Sequence, residues 1–251
     1  MKVLGIIPAR YGSTRLEGKP LLDICGKPMI QHVYEQAQQA LKYVVVATDD
    51  LRIVKAVQDF GGHVVMTSTD HNTGTNRCLE AYRVFKKRQK LEFDIVVNIQ
   101  GDEPLLAPKQ INLLISCFTK DETTEMATLV IPVKATESLA QTGVFVVLDK
   151  LKNALYFSRS VIPYIRDVTV KNWQKKHVFY KHIGMYAFKP DALIEFSSLE
   201  QTSLELAESL EQNRWLENGK KIKVEITDIE TIGVDTLEDL ERIRRVIACK
   251  E

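Results

Sequence analysis

The chain has 251 residues, 45% hydrophobic and 27% charged, with 34 Lys+Arg against 33 Asp+Glu and a formal net charge of +1. That balance excludes a protein built to coat nucleic acid or anionic membrane, and the length allows a core that stands without disulfides or metal staples. Four cysteines (Cys25, Cys78, Cys117, Cys249) stand far apart with no CxxC pair, which argues against a disulfide framework or zinc site and fits a reducing cytoplasm.

The run Val3-Leu-Gly-Ile-Ile-Pro8 reads as a buried strand cut off by a turn-rich segment, and Arg10 follows too soon for a signal peptide. Pro28 opens a helix whose apolar stripe is Met29, Ile30, Val33, Tyr34 and Ala37. Tyr43–Thr48 is a β-branched strand ending in Asp49-Asp50, which can cap a helix carrying Ile53, Val54 and Val57. His63–Met66 predicts a third strand, Cys78–Phe85 part of a helix, Phe93–Ile99 a fourth strand and Ile111–Phe118 another helix. Such alternation implies βαβ units and a parallel sheet covered on both faces, with functional groups at the carboxyl ends of its strands.

Beyond about residue 130 the pattern changes. Met126–Val133, Gly143–Leu148, Ala154–Phe157 and Lys181–Phe188 are strand-like without helices between them, so antiparallel additions are expected. Ser203–Leu216 reads as one helix, with Thr202 and Glu205 spaced as a capping box. Ile222–Ile226 is a strand and Leu237–Ile247 a closing helix. No stretch approaches the roughly 20 apolar residues of a membrane span. The expected fold is one α/β domain over 1–251, a mostly parallel central sheet flanked by helices, with a β-rich portion at about 130–190.

The loop after the first strand, Pro8-Ala9-Arg10-Tyr11-Gly12-Ser13-Thr14-Arg15-Leu16-Glu17-Gly18-Lys19-Pro20, carries the strongest chemistry. Its glycines, backbone N–H groups, the Ser13 hydroxyl, Arg10, Arg15 and Lys19 could surround a polyphosphate. It is not a P-loop, because five residues separate Gly12 from Gly18 and Pro20 offers no hydroxyl. Residues 1–27 hold five basic side chains against two acidic ones, a local excess that the rest of the chain cancels. In Asn98-Ile-Gln100-Gly-Asp102-Glu-Pro104 a strand runs out into a carboxylate, placing Asp102 either as an Mg²⁺ ligand or in an ordinary turn. Asp235, three residues before Glu238, reads first as a helix cap, although a carboxylate there also borders the active edge of such a sheet.

His71-Asn-Thr73-Gly74-Thr75-Asn76-Arg77 is a helix cap or a reader of base and ribose. On one face of a strand, His182, Gly184 and Tyr186 either contact a hydroxylated acid or form a plain sheet surface. Arg159 could grip a carboxylate. Glu211 and Gln212 read as a solvated helix face, and Arg83–Arg88 as cations complementing a helix dipole.

Together the runs IPARYGSTRLEGKPL, HNTGTNR, NIQGDEP, ALYFSRSVIPY, KHIGMYAF, LELAESLEQNRWLENGKKI and GVDTLEDLERI resemble the 3-deoxy-manno-octulosonate cytidylyltransferase (CMP-Kdo synthetase) family, in order over nearly the whole chain. The resemblance implies transfer of a cytidylyl group from CTP to the anomeric hydroxyl of a 3-deoxy-octulosonic acid, releasing pyrophosphate. It implies that Arg10, Ser13, Arg15 and Lys19, with Pro8 and Ala9 beneath them, hold the triphosphate. By the same likeness Thr73, Gly74, Thr75, Arg77 and Gln100 frame the cytidine, and Asp102 and Asp235 carry Mg²⁺. Arg159, His182, Tyr186, Glu211 and Gln212 would line the sugar-acid pocket. A homodimer joined through the β-rich portion, and a role in bacterial lipopolysaccharide or capsule synthesis, are further implications. Four positions depart from the family pattern: Thr73 replaces a Ser, keeping the hydroxyl, Asn76 an Asp, Phe145 a Lys and Asn213 a Leu. The alternatives are another sugar acid such as the 8-amino analogue, a sialate or hexose-1-phosphate nucleotidyltransferase, or a non-catalytic nucleotide sensor.

Overall fold

The computed structural model describes residues 1–12, 16–71, 73–134 and 143–248. In chain order these form β1 (Val3–Ala9), β2 (Asp23–Ile24), β3 (Lys27–Pro28), α1 (Met29–Gln38), β4 (Tyr43–Thr48), α2 (Leu51–Asp59) and β5 (Val64–Met66). Then come α3 (Gly74–Gln89), β6 (Ile95–Asn98), α4 (Pro108–Lys120), β7 (Met126–Pro132), β8 (Phe145–Leu148) and β9 (Ala154–Ser158). The chain continues through β10 (Tyr180–Phe188), α5 (Pro190–Ser198), α6 (Ser203–Glu208), α7 (Gln212–Glu217), β11 (Ile222–Ile226) and α8 (Leu237–Ala248).

The sheet runs β11-β7-β10-β6-β1-β4-β5, and β8 and β9 extend from β10. Along that path every strand points the same way except β10, which is antiparallel to both β6 and β7. The unbroken apolar runs follow from burial on both faces. Leu4 and Ile6 of β1 enter the layer holding Cys78, Tyr82 and Phe85 of α3 and Phe196 of α5. Ile7 and Ala9 enter the opposite layer with Ile30 and Val33 of α1, Ile53 of α2 and Leu114 of α4. From β1 the chain steps outward to β4 and β5, then returns to β6 on the other side of β1. That reversal opens a crevice at the carboxyl ends of β1 and β6, where ligands of such sheets bind.

The expected antiparallel additions are present in β8, β9 and β10, and β10 threads between β6 and β7 while β8 and β9 hang outside the main path. Alternation along β10 could not reveal this, since strand order is set by partners distant in sequence. The single helix expected over Ser203–Leu216 is broken: Ser209 adopts a left-handed conformation (φ 51°) between α6 and α7. Glu205 accepts the Thr202 N–H of the expected capping box, but its carboxylate also grips the Arg214 guanidinium at 2.5 and 2.7 Å. This buried pair folds α7 back on α6, a tertiary demand that outweighs helical continuity. Finally, α5 begins with Pro190 at its first turn and buries Ala192, Leu193 and Phe196, a helix outside the sequence reading.

Candidate active site

At the crevice the backbones of β1 and the turn after β6 touch. A Cβ on Gly101 would lie 2.8 Å from the Pro8 carbonyl oxygen, so only glycine allows this approach, and Asp102 follows it. The loop leaving β1 is closed by the Gly18 N–H, which donates to the Tyr11 carbonyl at 2.9 Å. Gly18 sits at φ 65° beneath the Tyr11 ring, where a side chain would have neither the conformation nor the room. The Arg52 guanidinium stacks 3.2 Å from the centre of that ring and is itself held by Asp50, the cap of α2.

The closure delivers Lys19. Its ammonium donates to Asp102 Oδ2 at 3.0 Å and Asp235 Oδ1 at 2.9 Å. The lysine side chain is 12% exposed, the aspartates 34% and 44%, so the carboxylates face the open side. Burial pulls the Lys19 pKa down, but the Asp102 and Asp235 carboxylates outweigh it and hold it above the usual lysine value. The Val234 N–H donates to the Asp102 carbonyl, tying the two acidic segments together. Ahead of α8, Thr236 accepts the Asp239 N–H, and Asp239 in turn accepts the N–H groups of Asp235 and Thr236. The Asp235 carboxylate, which reads first as a cap, accepts the Lys19 ammonium.

These residues fit a divalent cation. Two carboxylates converge on one positive charge, supplied here by the ammonium, and Mg²⁺ commonly takes one or two carboxylates plus substrate phosphates. Among the described residues no cluster of three or more His, Cys, Asp or Glu is placed to hold a metal, so a cation here would draw its remaining ligands from substrate and water.

The start of α3 packs across the end of β1, with the Gly74 Cβ position 3.6 Å from the Pro8 ring. Thr73 caps the helix by accepting the Asn76 N–H at 3.2 Å, so the cap reading of this loop holds. The Thr75 hydroxyl donates to Glu211 at 2.7 Å. Arg77 is placed differently from the expected nucleotide contact. Its guanidinium is fully buried and committed to Asp49 and the Thr67 hydroxyl, both at 2.6 Å, which makes it a brace between α3 and the ends of β4 and β5. Its position three residues beyond Gly74 on the inward face of α3 explains the burial.

Opposite stands the overhanging half of β10. Pairing places Tyr186 beside Asn98, and the residues before it continue past the end of β6 along β7. The register shifts by two residues between Ile183 and Tyr186, and parity survives: Ile183, Met185 and Ala187 face one layer while Tyr186 and Phe188 face the other. His182 and Tyr186 accordingly meet, ring centres 5.2 Å apart. Gln100 secures the irregularity by donating to the Gly184 carbonyl at 2.7 Å. Thr128 does so by donating to the Met185 carbonyl at 2.8 Å, so in its 2.9 Å bond with His182 the ring Nε2–H is the donor. Burial lowers the His182 pKa to about 3, so the imidazole is neutral. Tyr186 is pushed well above the usual tyrosine value by burial and by the nearby Glu211 charge.

Glu211 is not the solvated residue its helical pattern suggested. Burial raises its pKa despite hydrogen bonds from Thr75 and Thr73. Gln212 is buried too, as the first residue of α7 after the break. Glu211 Oε1 and Gln212 Nε2, neighbours in the chain at the start of α7, are buried side-chain atoms without hydrogen-bond partners. Buried polar atoms are normally bonded, so this unspent capacity suits a polar ligand. Arg159 is exposed at the rim, tethered through Nε to the Glu208 carbonyl and through Nη2 to the Ser209 carbonyl. Arg10 stands at the end of β1, and Ser13 and Arg15 lie outside the described residues. Sequence reasoning missed Tyr11, Thr128 and Glu208, whose side chains meet Arg52, His182 and Ser158, all remote in the chain.

The fold and site define a nucleotidyltransferase of the cytidylyltransferase class, and a family model described as cytidylyltransferase matches residues 4–222. The chain is 54% identical to the 3-deoxy-manno-octulosonate cytidylyltransferase of Parabacteroides distasonis, covering 99% of both chains, and 56% identical to that of Bacteroides thetaiotaomicron over 96% of both. Among solved structures, CMP:2-keto-3-deoxy-manno-octonic acid synthetase complexed with CTP superposes with a TM-score of 0.90 at 43% identity, covering 100% of each chain. A cytidylyltransferase from Leptospira borgpetersenii shares the fold, with a TM-score of 0.64 at 20% identity. The chain belongs to the 3-deoxy-manno-octulosonate cytidylyltransferase family.

Proposed function

We propose that this protein transfers the cytidylyl group of CTP to the anomeric hydroxyl of 3-deoxy-D-manno-octulosonate, giving CMP-Kdo and pyrophosphate. The observation that carries the reading is the Lys19 ammonium held between Asp102 and Asp235 at the switch point of the sheet. In the reaction the anomeric oxygen bonds to the α-phosphorus, the bond to the bridging oxygen breaks, pyrophosphate leaves and the hydroxyl proton is lost. Such transfers depend on positioning and on neutralising charge. Lys19 and Arg10 supply fixed positive charge for the α-phosphate. Thr73, Gly74, Thr75 and Gln100 frame the cytidine, and Pro8 and Ala9 floor the cradle.

The sugar acid lies against Arg159, His182, Tyr186, Glu211 and Gln212, where neutral His182 donates or accepts without adding charge. Asp102 and Asp235 would hold Mg²⁺, which when bound withdraws charge from phosphate oxygens and lowers the pKa of a coordinated hydroxyl. We also propose a homodimer in the cytoplasm, serving lipopolysaccharide or capsule synthesis. Exposed Leu155, Tyr164, Val170 and Val178 around the β8–β9 extension support a second copy as the partner. Light scattering should then give twice the 28.6 kDa chain mass.

The test is pyrophosphate release from CTP, UTP or GTP with Kdo or its 8-amino analogue, with and without Mg²⁺. Release with CTP, Kdo and Mg²⁺ is expected. CTP binding without release from any sugar would replace the reading with a nucleotide sensor.

A further inference from the structure

Arg10 is exposed, yet its Nη2 donates to the His71 carbonyl at 2.8 Å. The His71 ring lies 2.5 Å from the Glu80 carboxylate through Nε2, and the same Glu80 oxygen accepts the Ser68 N–H at 2.9 Å. Glu80 belongs to α3, whose neighbouring Cys78, Leu79 and Ala81 are buried, so its backbone is fixed by the core. Burial pushes the Glu80 carboxyl upward, but the Ser68 N–H and His71 outweigh this and keep it below the usual range. Beside the pair lies a cavity of about 290 Å³ lined by His71, Asn76, Leu79, Glu80, Arg83 and Ser197. The imidazole is therefore not enclosed by packing on that side, and its bond to Glu80 sets its position. A chain of bonds thus runs from a rigid helix through a carboxylate and an imidazole to a peptide carbonyl, and from there to a guanidinium.

We infer that His71 and Glu80 are positioning residues for Arg10, an inference that rests on the reading of Arg10 as an α-phosphate contact. A long exposed arginine samples many rotamers, and each must be given up when it grips a phosphate. Directing one N–H to a fixed carbonyl orients the guanidinium beforehand and leaves its other donors for the ligand. Neither His71 nor Glu80 touches the reacting atoms. Their effect passes through the His71 peptide.

The experiment is a double-mutant cycle over Arg10→Ala and Glu80→Ala, with Glu80→Gln alongside. It is read as kcat and KM for CTP, CTP affinity by calorimetry, and melting temperature. Glu80→Ala should lower kcat/KM about tenfold or more in the wild-type background, as expected for a misplaced catalytic group. It should cost nothing further once Arg10 is gone, because residues acting through one another are non-additive. Glu80→Gln keeps an acceptor for the imidazole and should retain most activity. Equal losses in both backgrounds, or an unimpaired Glu80→Ala enzyme, overturn the inference. A wild-type chain that binds CTP without turnover removes only the catalytic reading, and the cycle in CTP affinity still decides this one. A wild-type chain that binds no CTP removes both.

Discussion

Thr75 and Glu211 stand 136 residues apart in the chain and 2.7 Å apart in space. The bond joins the loop that opens α3 to the start of α7, the proposed nucleotide side of the site to the proposed sugar-acid side. Because Glu211 has a raised pKa, the folded state binds a proton more readily than the unfolded chain does. Stability from this group is therefore present at low pH and declines as pH rises from the unfolded value of about 4.5 through the raised folded value. Glu211→Gln should flatten that decline in a melting series against pH. It should also weaken use of the sugar acid about tenfold, the scale of one charge-assisted hydrogen bond.

Asp102 supplies one of the two carboxylates facing Lys19. Asp102→Asn should cut turnover by about 10² to 10³. Its circular dichroism spectrum and melting temperature should stay close to wild type, because the side chain is partly open to solvent. Chelation of Mg²⁺ from the wild-type enzyme should produce the same loss. Normal pyrophosphate release from the variant would sink the proposed metal seat.

Gly101→Ala would force a methyl group to within 2.8 Å of the Pro8 carbonyl oxygen, a backbone atom that cannot swing away. We expect a loss of about 1–3 kcal/mol in urea unfolding, as for overpacked sites, together with a fall in activity as Asp102 shifts. Gly12→Ala is the control for stability, since nothing lies within 4 Å of its added Cβ.

His182 is buried and neutral, with a folded pKa lowered to about 3 from an ordinary 6.5. Between those values the unfolded chain binds the extra proton, so stability is complete above about pH 6.5 and falls as pH drops toward 3. His182→Gln keeps a side-chain N–H donor for the Thr128 hydroxyl without titrating. Its melting temperature should fall less steeply than that of wild type over that acid range.

Much of the fold was legible because strands and helices declare themselves through local periodicity. Tyr43–Thr48 and Ile222–Ile226 coincide with β4 and β11 to the residue. The helix break at Ser209 was not legible, because the Glu205–Arg214 pair that folds α7 back is a contact between two segments of unbroken helical pattern. The site divides in the same way. The resemblance pointed to Lys19, Asp102 and Asp235, and the structure brings all three together. Local pattern read Asp235 first as a cap, because a carboxylate ahead of a helix looks the same whether or not it also meets a lysine 216 residues away.

By itself the amino-acid sequence determined which segments are strands, which are helices and which loops carry charge, since each depends on neighbours within a turn or two. Only the tertiary structure decided what that charge does. It set β10 between β6 and β7, turned Arg77 inward against Asp49, and closed the loop after β1 so that Lys19 meets both aspartates. Those outcomes depend on distances across the sheet, which periodicity does not contain and a packed core enforces.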